Sequence, residues 1–127
     1  MRTVLVVDDQ APFRAAARAV VSRVDGFDLV AEVESGEAAV EASDSFEPDL
    51  VLMDINMPGM TGIEATRRIV AAHPDVVIFL CSTYDAADLP SSAAESGASG
   101  YVNKERFGAQ TLAQLWQGRG SGTFASL

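Results

Sequence analysis

The stretch Asp49 to Gly62, "DLVLMDINMPGMTG", decides the reading of the chain. Leu50 to Met53 is an unbroken apolar run and reads as the end of a strand buried on both faces. It stops at one carboxylate, Asp54, and a short loop with Pro58, Gly59 and Gly62 follows. Beyond the loop, Thr61 and Glu64 have capping-box spacing, and Ile63 and Ile69 begin a buried helical face. That helix should stop near His73, because Pro74 disfavours helical backbone in the residue before it. A buried strand that ends in a lone acid at a loop raises the question of what the acid is for.

The same alternation extends in both directions. Apolar runs at Thr3–Val7, Leu29–Val33, Leu50–Met53, Val76–Cys81 and Gly100–Val102 read as strands. Between them lie helical patterns. Phe13, Ala16, Ala17, Val20, Val21 and Val24 form an amphipathic stripe. Glu37 to Ser45 is a shorter Ala-rich helix. A fourth, around Pro90 to Ser96, is thin in large apolar residues, and a fifth carries Leu112, Leu115 and Trp116. Five βα units with short connections predict an α/β fold: a single flavodoxin-like, doubly wound (βα)5 domain with a five-stranded parallel sheet. The domain should span residues 1–117. The segment Gly118 to Leu127, "GRGSGTFASL", reads as a Gly/Ser-rich linker or disordered tail.

Composition narrows the function. With 127 residues, 48% hydrophobic and 21% charged, the chain fits one soluble domain. A formal net charge of −9 disfavours non-specific nucleic-acid binding, which needs clustered Lys and Arg, and suits a site for a metal cation. Cys81 is the single cysteine and reads as a small buried hydrophobe. Asp8 interrupts the N-terminal apolar run too early for a signal peptide, and no run approaches a membrane span of ~20 residues. The expected location is the cytoplasm, with no membrane partner.

In doubly wound sheets, ligands bind beyond the carboxyl ends of the strands, near the switch in strand order. The expected strand ends carry Asp8 and Asp9, then Asp54, then Ser82 and Thr83, then Lys104. Singly, each has a bland reading: Asp9 as a helix cap before Pro12, Ser82 as a turn residue, Lys104 as a solvated surface group. Their convergence on one rim favours a site. Clustered carboxylates repel unless protonated or bridged by a cation. Hard oxygen ligands without His or Cys point to Mg²⁺ (or Mn²⁺), and a lysine behind them points to a passing phosphoryl group.

Over nearly its full length the chain resembles the receiver domain of two-component response regulators. The resemblance rests on "VLVVDDQAPFR", "PDLVLMDINMPGMTGIEATRRI", "FLCSTYD" and "GASGYVNKE", in the family's order and spacing. "DDQAPFR" and "GASGYVNK" look most like the class that often carries a helix-turn-helix output domain. The resemblance implies that Asp54 is the phosphoacceptor, with Asp8, Asp9, Asp54 and the backbone carbonyl of Asn56 as Mg²⁺ ligands. It implies Lys104 as the neutralising cation, Ser82 as the switch hydroxyl, and Tyr101 as the aromatic whose rotamer reports activation. Asn56, Thr83 and Tyr84 should flank the pocket. The implied partners are a sensor histidine kinase and either a second copy or a C-terminal output domain, with no nucleic acid bound by this domain itself.

The sequence departs from the family pattern in three places: Glu105 follows the lysine where many receivers have proline, Thr83 replaces a smaller residue, and Pro90 stands where the fourth helix begins. The expected function is a phosphorylation-dependent switch rather than a turnover enzyme. Three rivals have weaker support. An aspartate-nucleophile phosphatase of the haloacid-dehalogenase type needs a D-x-D pattern after the first strand, and the chain has Asp8-Asp9-Gln10. A flavodoxin-like FMN binder needs a Ser/Thr/Gly-rich first loop. A non-phosphorylated interaction module does not need the intact Asp, Ser and Lys set. His73 reads as an exposed helix-end residue and Trp116 as half-buried packing. Met53, Met57 and Met60 read as gap fillers.

Overall fold

The computed structural model describes residues 1–119 and 124–127. In chain order the elements are β1 (Arg2–Val7), α1 (Ala11–Ser22), β2 (Phe27–Val33), α2 (Gly36–Phe46), β3 (Leu50–Asp54), α3 (Gly62–Ala72), β4 (Val77–Ser82), α4 (Ser91–Glu95), β5 (Gly100–Asn103), α5 (Ala109–Gly118) and β6 (Ala125–Ser126). The strands form one sheet in the order β2-β1-β3-β4-β5-β6, and every neighbouring pair is parallel. The order reverses at β1, so the switch point lies between β1 and β3.

The five-stranded expectation is corrected: among the described residues the sheet has six strands. Ala125 pairs with Gly100 and Ser126 with Tyr101, on the far side of β5. Within the stretch read as linker or disordered tail, residues 120–123 lie outside the described residues, and Phe124–Leu127 carries this added strand. The Gly/Ser composition hid it, because only Phe124, Ala125 and Leu127 are apolar there.

Strand alternation divides the core into two layers. Leu5, Val7, Val51, Met53, Ile78, Leu80 and Tyr101 face α2, α3 and α4. Val4, Val6, Leu50, Leu52, Phe79, Cys81 and Val102 face α1 and α5. β3 is buried along its whole length, as a central strand covered on both faces must be.

Helix boundaries follow local chemistry. Thr61 Oγ1 accepts the Glu64 amide at 3.2 Å, opening α3. The reciprocal half of the capping box does not form, because Glu64 pairs with Arg67 and Arg68 instead. α3 ends at Ala72, next to His73 and Pro74. The α1 stripe is narrower than its spacing implies: Ala17, Val20 and Val21 are buried, and Ala16 faces solvent. Gln10, not Asp9, occupies the N-cap of α1, and it makes no side-chain cap bond.

Candidate functional site

Asp8 follows β1, Asp54 and Ser82 close β3 and β4, and Lys104 follows β5, so parallel strands deliver all four to one rim. Asp8, Asp54 and Ser82 are buried, and Asp9 is exposed. The carboxylates of Asp8, Asp9 and Asp54 each place an oxygen within 4.8 Å of the others. Lys104 Nζ lies 2.7 Å from Asp8 Oδ2 and 3.3 Å from Asp54 Oδ1.

Burial raises the Asp54 carboxyl to about 6; the Asp8 charge adds to the rise and Lys104 opposes it. Burial alone would lower Lys104, but its bonds to Asp8 and Asp54 outweigh that and hold it above the ordinary lysine range. The site therefore keeps a charged lysine beside a carboxylate that gives up its proton less readily than an ordinary aspartate. Burial pushes the Cys81 thiol well up, which supports its reading as an inert core residue.

Each side chain is aimed by local structure. The Asp8 Oδ1 accepts the Gln10 amide at 2.8 Å, and the Asp8 carbonyl accepts Arg14 Nη1 at 2.8 Å. Asn103 Oδ1 accepts the Glu105 amide at 2.9 Å and opens a 3₁₀ turn over Lys104–Arg106. That turn sends Lys104 back across the rim, where Nζ also sits 4.5 Å from the Phe13 ring centroid. Gly62 explains the glycine at the end of the opening stretch: a Cβ there would lie 1.9 Å from the Asp54 carbonyl oxygen. The α3 N-terminus can therefore tuck against the end of β3 only without a side chain.

Ser82 and Tyr101 form one network. Ser82 Oγ is 2.8 Å from the Tyr101 hydroxyl, which also lies 3.0 Å from the Ser82 carbonyl and 2.6 Å from the Tyr84 carbonyl. Tyr101 has one hydroxyl proton, and the Tyr84 carbonyl is its shortest acceptor. With that proton engaged, the Tyr101 oxygen is left to accept from Ser82. The Tyr101 ring is fully buried, and burial raises its hydroxyl pKa against the opposing effect of Ser82. Asn103 Nδ2 also donates to the Tyr84 carbonyl, at 3.1 Å.

Asn56, Thr83 and Tyr84 are exposed beside this rim, each within two residues of Asp54 or Ser82. Sequence reasoning missed Arg14 and Asn103 and counted Phe13 only as part of an apolar stripe. The one available signal was position, since Phe13 and Arg14 lie in the first turn of the helix that follows Asp8 and Asp9. His73 closes α3 at the opposite end of the sheet, as expected, but it is only partly exposed rather than exposed, with Nε2 2.8 Å from Asp44 Oδ1.

Comparison with known proteins places this geometry in a family. Residues 4–116 match the family model described as the response regulator receiver domain. The chain is 38% identical over 102 residues to the transcriptional regulatory protein DegU of Brevibacillus brevis, covering 80% of this chain and 43% of that protein. It is 38% identical over 104 residues to the response regulator UvrY of Escherichia coli, covering 82% of this chain and 48% of that one. The chain thus spans about half the length of these curated relatives. A crystal structure of a LuxR-family two-component response regulator from Aurantimonas superposes with a TM-score of 0.86 at 31% identity, over 98% of this chain and 89% of that one. The signal receiver domain of NarL from Mycobacterium tuberculosis superposes with a TM-score of 0.82 at 26% identity, over 92% of this chain and 97% of that one. By the span of the family match and the identity to these relatives, the chain belongs to the response regulator receiver domain family of two-component signalling.

Proposed function

We propose that Asp54 is the phosphoacceptor of a switch that takes its phosphoryl group from a phosphohistidine on a sensor kinase. The observation that carries this reading is the convergence of Asp8, Asp9, Asp54 and Lys104 on one rim, with oxygens within 4.8 Å and the ammonium in contact with two of the acids. An Asp54 oxygen attacks phosphorus, and the bond from phosphorus to the donor imidazole nitrogen breaks. The strand fixes the direction of that oxygen. Lys104 turns from Asp54 toward the incoming phosphoryl oxygens and offsets their charge. Ser82 turns its hydroxyl proton from Tyr101 to the same group.

The donor set fits Mg²⁺ or Mn²⁺. Three carboxylates that each bring an oxygen within 4.8 Å of the others, with no nitrogen or sulfur donor among them, are the hard ligand set that such a divalent cation takes. Asp8, Asp9, Asp54 and the Asn56 carbonyl would hold the ion. When bound, it supplies positive charge against the phosphoryl oxygens.

The readout is a change at Tyr84–Gly97 and Tyr101, passed to a second copy or to an output domain in the whole protein. The names of the relatives, which include transcriptional regulators, support the second route. Among the described residues no helix is long and apolar enough to cross a membrane.

The test is intact-mass analysis after incubation with Mg²⁺ and acetyl phosphate. One phosphoryl group should appear on the native protein and none on Asp54→Ala. Undiminished labelling of Asp54→Ala would overturn the assignment.

A further inference from the structure

The unexpected sixth strand bears on the switch. Its segment, Phe124–Leu127, lies against the strand that carries Tyr101. The Leu127 amide donates to the Tyr101 carbonyl at 2.9 Å, and the Asn103 amide donates to the Leu127 carbonyl at 2.9 Å. Ala125 N donates more weakly to the Ser99 carbonyl, at 3.4 Å. Side chains alternate as in any strand: Phe124 packs on the core layer that holds Tyr101 and Ala93, while Ala125 and Leu127 pack on the other. Gly100 accommodates the approach, since a Cβ there would lie 2.8 Å from the Ala125 carbonyl.

Phe124 also compensates for a weakness in α4. That helix is five residues long, has no side-chain cap, and buries only Ala93. Such a helix has almost no apolar area of its own to hold it against the sheet. Phe124 borders a hollow of ≈ 230 Å³ with Leu89, Pro90, Ala93 and Ala94. A large ring from the C-terminal segment therefore stands where α4 has only small residues.

We propose that the β5 edge and the Leu89–Ala94 hollow form a docking surface for an extended apolar segment, that Phe124–Leu127 is its occupant, and that docking restrains the switch. The docked segment fixes the Tyr101 backbone on one side while the Tyr101 hydroxyl engages Ser82 and Tyr84 on the other. In this arrangement the Ser82 hydroxyl is engaged with Tyr101. Release of the segment frees β5 and α4, which lowers the cost of turning Ser82 to a phosphoryl group. By linkage, phosphorylation must then weaken docking by the same factor. The regulatory half of this inference rests on the function proposed above; the docking half does not.

Two variants separate the contributions. Phe124→Ala removes the ring and keeps the backbone bonds, and Leu127→Pro removes the amide that donates to Tyr101 and keeps Phe124. Neither residue belongs to the carboxylate rim, and both variants keep the backbone carbonyl of residue 127 that accepts the Asn103 amide. Hydrogen-exchange mass spectrometry without phosphodonor should show faster exchange at Leu89–Gly97 in both variants, with β1 and β3 unchanged. Native-like exchange at Leu89–Gly97 in both would overturn the docking. Binding of beryllofluoride with Mg²⁺, a phosphoryl mimic, should then be about fivefold tighter or more in both variants. Equal or weaker binding would overturn the restraint. If the native protein and Asp54→Ala bind the mimic alike, the phosphoacceptor reading fails, while the exchange result still decides the docking.

Discussion

Lys104 Nζ is closer to Asp8, at 2.7 Å, than to Asp54, at 3.3 Å. One cation thus bridges two buried carboxylates, and Asp8 holds the nearer share. Removing a partner from a buried ion pair costs far more than the pair contributes, because an uncompensated charge remains. Lys104→Met should therefore destabilise the protein by about 2–4 kcal/mol at pH 7.5 without divalent cation. The loss should shrink at pH 5, where Asp54 is already largely protonated, and millimolar Mg²⁺ should recover part of it. Thermal denaturation at both pH values, with and without Mg²⁺, measures this. Equal losses at the two pH values would show that Lys104 is not compensating these acids.

Asp54 itself is a source of instability. Its carboxyl titrates near 6 in the folded protein, against an ordinary value of 3.8, through burial and then the Asp8 charge. Below pH 4 the group is neutral in both states and costs nothing. Between pH 4 and 6 the unfolded chain ionises first, so stability falls as pH rises, and above 6 the full penalty is expressed. Two units correspond to about 3 kcal/mol as an upper figure. Asp54→Asn should be more stable than the native protein by ~1–3 kcal/mol at pH 7.5 and about equal to it at pH 4. Urea denaturation at the two pH values decides it, and a gain of the same size at pH 4 would contradict the electrostatic origin.

Much of this site was legible from strand ends alone. A parallel sheet converts "apolar run, then acid" into a position, so Asp8, Asp54, Ser82 and Lys104 could be placed on one rim without knowing any contact. What escaped the sequence depends on return paths. Arg14 reaches the Asp8 carbonyl because α1 folds back over β1, and Phe13 meets Lys104 across 91 residues of chain, with an approach set by the Asn103-capped turn. Neither is visible in periodicity, where Phe13 is one more apolar position. The sixth strand escaped for another reason: a strand of two residues carries no periodic signal, and only the open β5 edge and the Gly100 backbone give it a place.

Gly62 is a local test of the fold that aims Asp54. A Cβ at that position would fall 1.9 Å from the Asp54 carbonyl oxygen and 2.8 Å from its carbon, both rigid backbone atoms. Neither can yield without moving the strand end or the start of α3. Overpacking of this kind costs roughly 1–3 kcal/mol, and backbone clashes sit at the upper end. Gly62→Ala should lose about 3 kcal/mol and slow acetyl-phosphate labelling, because the Asp54 direction changes with the loop. Gly26→Ala is the control. A Cβ there meets nothing within 4 Å, although φ is +86°, so only backbone strain is felt. Its loss should be ~1 kcal/mol, with labelling unchanged. Equal labelling rates in the native protein and Gly62→Ala would refute the link between that contact and the site.

The Ser82–Tyr101 bond makes opposite predictions for its two ends. Ser82 Oγ accepts the Tyr84 amide at 3.2 Å and pairs with the Tyr101 hydroxyl at 2.8 Å. Ser82→Ala removes the group that would turn to the phosphoryl, and leaves Tyr101 anchored to the Ser82 and Tyr84 carbonyls. This variant should still be labelled on Asp54, because the nucleophile, the acids and Lys104 are intact. Beryllofluoride should bind it more weakly, since one hydrogen bond to a charged group, worth about 1.5–3 kcal/mol, is lost. Tyr101→Phe keeps the buried ring and removes the acceptor of the Ser82 proton. The serine then has no competing partner on that side, and the mimic should bind about as tightly as to the native protein or more so. It also leaves the Tyr84 carbonyl with Asn103 Nδ2 alone, so exchange at Tyr84 and Asp85 should quicken. Calorimetry with beryllofluoride and Mg²⁺ on the two variants gives the order. Weaker binding in Tyr101→Phe than in Ser82→Ala would mean that the tyrosine supports the phosphoryl-facing hydroxyl rather than competing for it.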